Sequence, residues 1–121
     1  MEYTIKLDYK IDEELFNKTA QTWANKINRT NKTQLRNFYE YIIDLEDKLI
    51  NKKRDKSEVL PFVKMLNSKV SYARSRGVAS KEFQEMMSQC IDEINNDNIE
   101  KTLPCFKLFF EAVLGFFEGR N

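Results

Sequence analysis

The chain has 121 residues, 20 of them basic and 19 acidic, and a formal net charge of +1, so it is not a uniformly basic nucleic-acid coat. It lacks histidine, which excludes Ser-His and Cys-His nucleophile activation and removes the commonest metal ligand. That length suits a single domain able to bury a core without metal or disulfide support, and with only three glycines and two prolines the domain is expected to be built from long helices.

The near-neutral total hides a division along the chain. Residues 1–28 hold four basic and five acidic residues, residues 29–81 thirteen and six, and residues 82–121 three and eight. A basic middle beside an acidic end points to two surfaces with different partners, or to an acidic surface that neutralises its neighbour. No apolar run approaches the ~20 residues of a membrane span and no leader-like apolar stretch stands at the start, so a cytoplasmic protein without a membrane partner is expected. In that setting Asn28-Arg29-Thr30 and Asn31-Lys32-Thr33 are chance matches to the glycosylation pattern.

Tyr3, Ile5, Leu7 and Tyr9 alternate with Thr4, Lys6 and Asp8, which predicts a short extended arm over residues 1–10. With no second strand to pair with, it either packs on helices or stays disordered. A helical bundle over 11–121 follows. Asp12 is the expected N-cap of a first helix to Ile27, with Leu15, Phe16, Ala20, Trp23 and Ile27 on its apolar side and Trp23 as core anchor. Thr33 is expected to cap a second helix to Lys52, striped by Leu35, Phe38, Tyr39, Ile42, Leu45 and Leu49. A cationic cluster, Lys52-Lys53-Arg54-Asp55-Lys56, closes it.

A third helix starts at Ser57 or Glu58, with Pro61 in its first turn and Gly77 as its left-handed cap. The stretch Val59–Lys81, which runs through it and on to the next helix, carries Lys64, Lys69, Arg74, Arg76 and Lys81 and no acid. Ser80 caps a fourth helix to Asn95 whose charged face is wholly acidic: Glu82, Glu85, Asp92 and Glu93. The last helix starts at Lys101 or Thr102, with Pro104 in its first turn and Gly119 at its close. Leu103, Phe106, Leu108, Phe109, Phe110, Val113, Leu114, Phe116 and Phe117 cover most of its circumference, so it is the bundle centre or half of a subunit contact. The fold class is therefore all-α, one bundle of about five helices with an N-terminal arm.

No site for chemistry emerges. The three glycines are isolated, so there is no phosphate loop. Asp92–Glu100 lacks a calcium loop's glycine and alternation. Cys90 and Cys105 lack CxxC spacing and fall among apolar residues as buried free thiols. A non-enzymatic chain with no cofactor and no metal is expected. The basic helix is more telling. At ~100° per residue, Met65, Lys69, Tyr72 and Arg76 share one flank, while Arg74 projects from the opposite one. Two cations about two turns apart with an aromatic between suit a single strand, although Tyr72 equally suits the edge of the core. Arg36 in the first turn of the second helix opposes the dipole there, which calls for a partner such as a phosphate or a buried carboxylate.

Three blocks in order resemble the CRISPR Csm small-subunit family. Thr33-Gln34-Leu35-Arg36-Asn37-Phe38-Tyr39 is similar to its "(S/T)QLRKFY" helix start, with Asn37 where the family often has a basic residue. Lys69-Val70-Ser71-Tyr72-Ala73-Arg74-Ser75-Arg76 resembles its "K-x-x-Y-A-x-x-R" segment, and Phe109-Phe110-Glu111-Ala112-Val113 its C-terminal "F-x-x-F-F-E-A" helix. The resemblance implies a non-catalytic small subunit of a type III-A CRISPR interference complex. Such a subunit lines the guide–target channel, contacts the target RNA backbone without reading sequence, and packs on backbone subunits and on further copies of itself. Arg36, Lys69, Tyr72 and Arg76 match its motif positions as RNA contacts; Lys64 and Arg74 join them on charge alone. The isolated chain could also form a homodimer. The alternative is a helical protein–protein adaptor with no nucleic-acid contact.

Overall fold

The computed structural model describes residues 4–119. A π-helical turn, Leu15–Thr19, leads into α1, Ala20–Lys26, followed by α2, Lys32–Ile50, and α3, Lys56–Ser75. Two more helices, α4, Lys81–Asp92, and α5, Ile99–Phe116, complete an all-α bundle with no strand among the described residues.

The arm packs on the helices. Ile5 and Leu7 are buried while Thr4 and Lys6 face solvent, as the period of two requires. Their backbone donors find side chains of α4 and its C-terminal cap in place of a second strand: Ile5 N–H donates to Gln89 Oε1 (2.7 Å) and Leu7 N–H to Glu93 Oε1 (3.1 Å). Tyr3, assigned to the arm by its sequence pattern, lies outside the described residues.

Several helix starts differ from expectation, each for a local reason. Asp12 does not cap a long first helix. Its carboxylate accepts from the Glu14 N–H (3.0 Å) and the Thr19 hydroxyl (2.7 Å), and Thr19 N–H reaches the Glu14 carbonyl five residues back (3.0 Å). Side-chain bonds over this span compete with the regular ladder, and a π turn results. Asn31, not Thr33, caps α2, its Oδ1 accepting from the N–H groups of Thr33 (2.8 Å) and Gln34 (3.4 Å). Asp55 caps α3 by accepting from the Ser57 N–H (2.9 Å) and hydroxyl (2.8 Å). Because α3 and α5 start this early, Pro61 and Pro104 are each the sixth residue of their helix, not in its first turn. There each removes one ladder bond, leaving the Ser57 and Glu100 carbonyls without their usual donor.

The predicted left-handed cap of α3 is present: Gly77 has φ +77°. Val78 N–H donates to the Ala73 carbonyl (3.1 Å) and Gly77 N–H to that of Arg74 (3.0 Å), the bond pair of a Schellman motif. Ser80 caps α4 as expected, accepting from Phe83 N–H (3.1 Å). Gly119 does not cap α5, which ends at Phe116. A Cβ at Gly119 would run into the Phe117 ring and fall 2.5 Å from the Asn28 carbonyl oxygen, so the packing of this residue against both is what requires glycine there.

The apolar last helix is the centre of the bundle. It packs on α1 and α2, and Phe106, Phe109, Phe110 and Val113 are wholly buried. Edge-to-face pairs Phe38–Phe83 (5.3 Å), Phe83–Phe110 (6.3 Å) and Phe106–Phe110 (6.4 Å) join α2, α4 and α5. Tyr39 stacks on Phe110 (6.1 Å) and donates its hydroxyl to Glu111 Oε1 (2.7 Å). Trp23 is buried, and Cys90 and Cys105 are buried free thiols. Just before α2, buried Thr30 accepts from Ser80 N–H (3.0 Å), and Asn31 N–H donates to the Val78 carbonyl (3.1 Å). These bonds pin the start of α2 beside the end of α3.

Gly77→Ala adds no clash, because nothing lies within 4 Å of the new Cβ, yet it imposes left-handed backbone on an L residue. It should destabilise the fold by about 1–2 kcal/mol in denaturant unfolding. Burial, then the bond to Glu111, pushes the Tyr39 phenol up to about 12. The neutral phenol is the favoured form, so its contribution is complete below pH ~10 and fades as pH rises toward about 12. The stability difference between wild type and Tyr39→Phe should shrink over that window.

Candidate nucleic-acid interface

The basic flank of α3 lies against α2, and the two helices enclose an open groove of about 510 Å³. Gln34, Asn37, Phe38 and Tyr41 line it from α2, and Ser68, Lys69, Tyr72, Ala73 and Arg76 from α3 and its C-terminal cap. The α3 set follows from its period: Val63, Leu66, Val70 and Ala73 bury one stripe, which carries Lys69, Tyr72 and Arg76 along its edge. The pinned loops at Thr30 and Ser80 fix the end of the groove where Gln34 and Arg76 stand.

Within the groove each cation stands over a ring. Lys69 Nζ is 4.6 Å from the Tyr41 ring centre, and the Arg76 guanidinium carbon 5.5 Å from that of Tyr72. Tyr72 is 65% exposed, so it is not an edge-of-core residue. Among the described residues neither Lys69 nor Arg76 has an ion-pair partner, which leaves both charges uncompensated by carboxylates. Two cations, two exposed phenol rings and the amides of Gln34 and Asn37 therefore converge on one open cleft. Such a set can hold phosphates by charge and sugars or bases by ring contact. Sequence reasoning does not single out Tyr41, although helical spacing places it beside Gln34, Asn37 and Phe38.

The other three candidates stand elsewhere. Lys64 Nζ donates to the Ile91 carbonyl (2.9 Å) in the last turn of α4, where a cation answers the helix dipole. Arg74 donates to Gln84 Oε1 (2.6 Å), also toward α4. The charge pattern groups these two with Lys69 and Arg76; the helical register separates them. Arg36 is exposed on α2, roughly 150° around the helix from the groove residues. Of the two partners expected for it, a phosphate or a buried carboxylate, no carboxylate pairs with it among the described residues.

The acidic face of α4 is partly answered within the chain, through Lys26–Glu85 and Lys6–Glu93 pairs, each 3.9 Å. Burial pushes the Cys105 thiol up to about 11 and that of Cys90 well above its ordinary value, so both stay protonated and unreactive. No cluster of three or more metal-ligating side chains occurs among the described residues, and none of their helices is long and apolar enough to cross a membrane.

A family model described as Csm2 Type III-A matches residues 10–119. No curated protein and no solved structure matches the chain.

Because Asn31 caps α2, Arg36 is its fifth residue, past the first turn where the dipole acts, and it has no in-chain carboxylate partner among the described residues. Arg36→Ala, an exposed substitution that breaks no in-chain contact, should therefore leave the isolated protein within about 0.5 kcal/mol of wild type. A loss of stability in denaturant unfolding would show a structural role for Arg36.

Proposed function

The chain belongs to the Csm2 Type III-A family, and from that membership we propose that it serves as a non-catalytic small subunit of a type III-A CRISPR interference complex that holds target RNA by its backbone. The observation that supports this reading is the α2–α3 groove, where Lys69 and Arg76 stand free of carboxylates beside Tyr41 and Tyr72. Phosphates attract both cations without regard to base identity, and a phenol ring accepts any base or sugar face. Contact of this kind suits a subunit that must accept every target its guide selects. Lys69, Tyr72 and Arg76 form the contact within the groove. Arg36 makes a separate one on the outer side of α2, and Lys64 and Arg74 contribute only to the long-range field. Packing on the other subunits and on further copies completes the role, and linked copies supply avidity that a single groove lacks.

Target-RNA binding by the assembled complex tests the proposal. Changing Lys69 and Arg76 together to alanine should weaken binding and make the single-strand salt slope shallower by roughly 1.4 for two lost phosphate contacts. In the same assay Tyr72→Ala should cost roughly five- to hundredfold and Tyr72→Phe little. Unchanged affinity and slope in an intact complex would instead favour a helical adaptor that does not touch RNA.

A further inference from the structure

The two walls of the α2–α3 groove differ in chemistry. The bonds that join the start of α2 to the end of α3 make the helices antiparallel, and the contact of Lys69 with the Tyr41 ring (4.6 Å) fixes their register. Gln34, Asn37 and Tyr41 follow one another at i, i+3 and i+7 along α2, and Lys69, Tyr72 and Arg76 repeat that spacing along α3 in the opposite direction. Gln34 therefore stands opposite Arg76, and Asn37 opposite Tyr72. Both cations of the groove belong to the α3 wall, and no charged side chain lines it from α2. A strand lying in the groove turns its phosphates toward α3, which leaves its sugars and bases toward the two amides.

The fold makes no use of these amides. Gln34 is half-buried and Asn37 exposed, and neither side chain has a hydrogen-bond partner among the described residues. Each offers a donor and an acceptor, whichever way it is turned. Cations and rings alone do not tell RNA from DNA, because both chains carry the same phosphates and every base has a face that a ring can cover. What differs is the ribose 2′-hydroxyl, itself a donor and an acceptor, and an amide complements both functions. Base edges also bond amides, but those bonds depend on base identity. A groove that must accept every target is not served by them.

We propose that Gln34 and Asn37 hydrogen-bond the 2′-hydroxyls of a single strand held by Lys69 and Arg76, so that the groove selects RNA over DNA while staying blind to sequence. Tyr41 and Tyr72 support the strand and carry none of that preference. The selection rests on the RNA contact of the functional reading and adds the group by which the nucleic acid is recognised.

Binding of the assembled complex to an RNA target and to a DNA target of the same base sequence tests it. Any preference of the guide or of other subunits is common to all samples, so the change in the RNA-to-DNA affinity ratio is what counts. Gln34→Met with Asn37→Ala removes both amides without altering charge. The double variant should lose roughly two- to tenfold in RNA affinity per amide contact, with the salt slope of RNA binding and the DNA affinity unchanged. RNA targets of different base composition should all show the same loss. Lys69→Ala with Arg76→Ala should instead weaken RNA and DNA alike. An unchanged ratio, a loss shared equally by RNA and DNA, or a loss that follows adenine content overturns the proposal. With the Lys69 and Arg76 effect intact, any of these sinks only the amide contact. RNA binding indifferent to Lys69 and Arg76 sinks the groove itself as the place of RNA contact.

Discussion

Burial of α5 is the constraint on which the structure depends. Phe106, Phe109, Phe110 and Val113 cannot all be shielded by one neighbouring helix, so α1 and α2 close on it from two sides. Each buried phenylalanine contributes about 1.5–3 kcal/mol, far more than any exposed ion pair here. The aromatic contacts Phe110–Phe83 and Phe83–Phe38 carry this constraint outward from α5 to α4 and α2. Because α3 in turn packs on α4 and α2, the width of the α2–α3 groove is set by the core and not by the groove residues. A binding surface made this way is preorganised, and its charged side chains need only adjust at their tips.

The fold also decides which cations remain available. Lys64 is spent on the Ile91 carbonyl and Arg74 on Gln84, both contacts that steady α3 against α4. Lys69 and Arg76 are held over tyrosine rings instead. A ring restrains the direction of a cation without neutralising it, so the charge stays attractive to an incoming anion. The acidic face of α4 is separate from that groove, and two of its carboxylates are paired with lysines of the arm and α1.

The three family blocks mix two kinds of residue. Leu35, Phe38, Tyr39, Phe109, Phe110 and Glu111 hold α2 to α5, most directly through the Tyr39 hydroxyl on Glu111 and the Tyr39–Phe110 stack. Gln34, Asn37, Lys69, Tyr72 and Arg76 line the groove. A motif written along the chain does not distinguish these roles. That is why Arg36, a motif position between Leu35 and Asn37, proves to lie away from the groove. Tyr41 belongs to the groove although it lies outside the quoted block.

The amino-acid sequence by itself determined the all-α class, the helix count, the buried stripes, the glycine cap at residue 77 and the shared flank of Lys69, Tyr72 and Arg76. These are properties of one helix at a time, set by periodicity and by what glycine alone tolerates. The helix starts were less legible, because Asn31 and Asp55 outcompete neighbouring residues for the same N–H groups. Only the tertiary structure decided that Tyr72 is exposed, that Lys64 and Arg74 turn to α4, and that Tyr41 faces Lys69. Each of those depends on which helix lies alongside. That is set by the burial of α5 and by the Thr30–Ser80 stitch, which joins residues 50 apart and has no local signature in the chain.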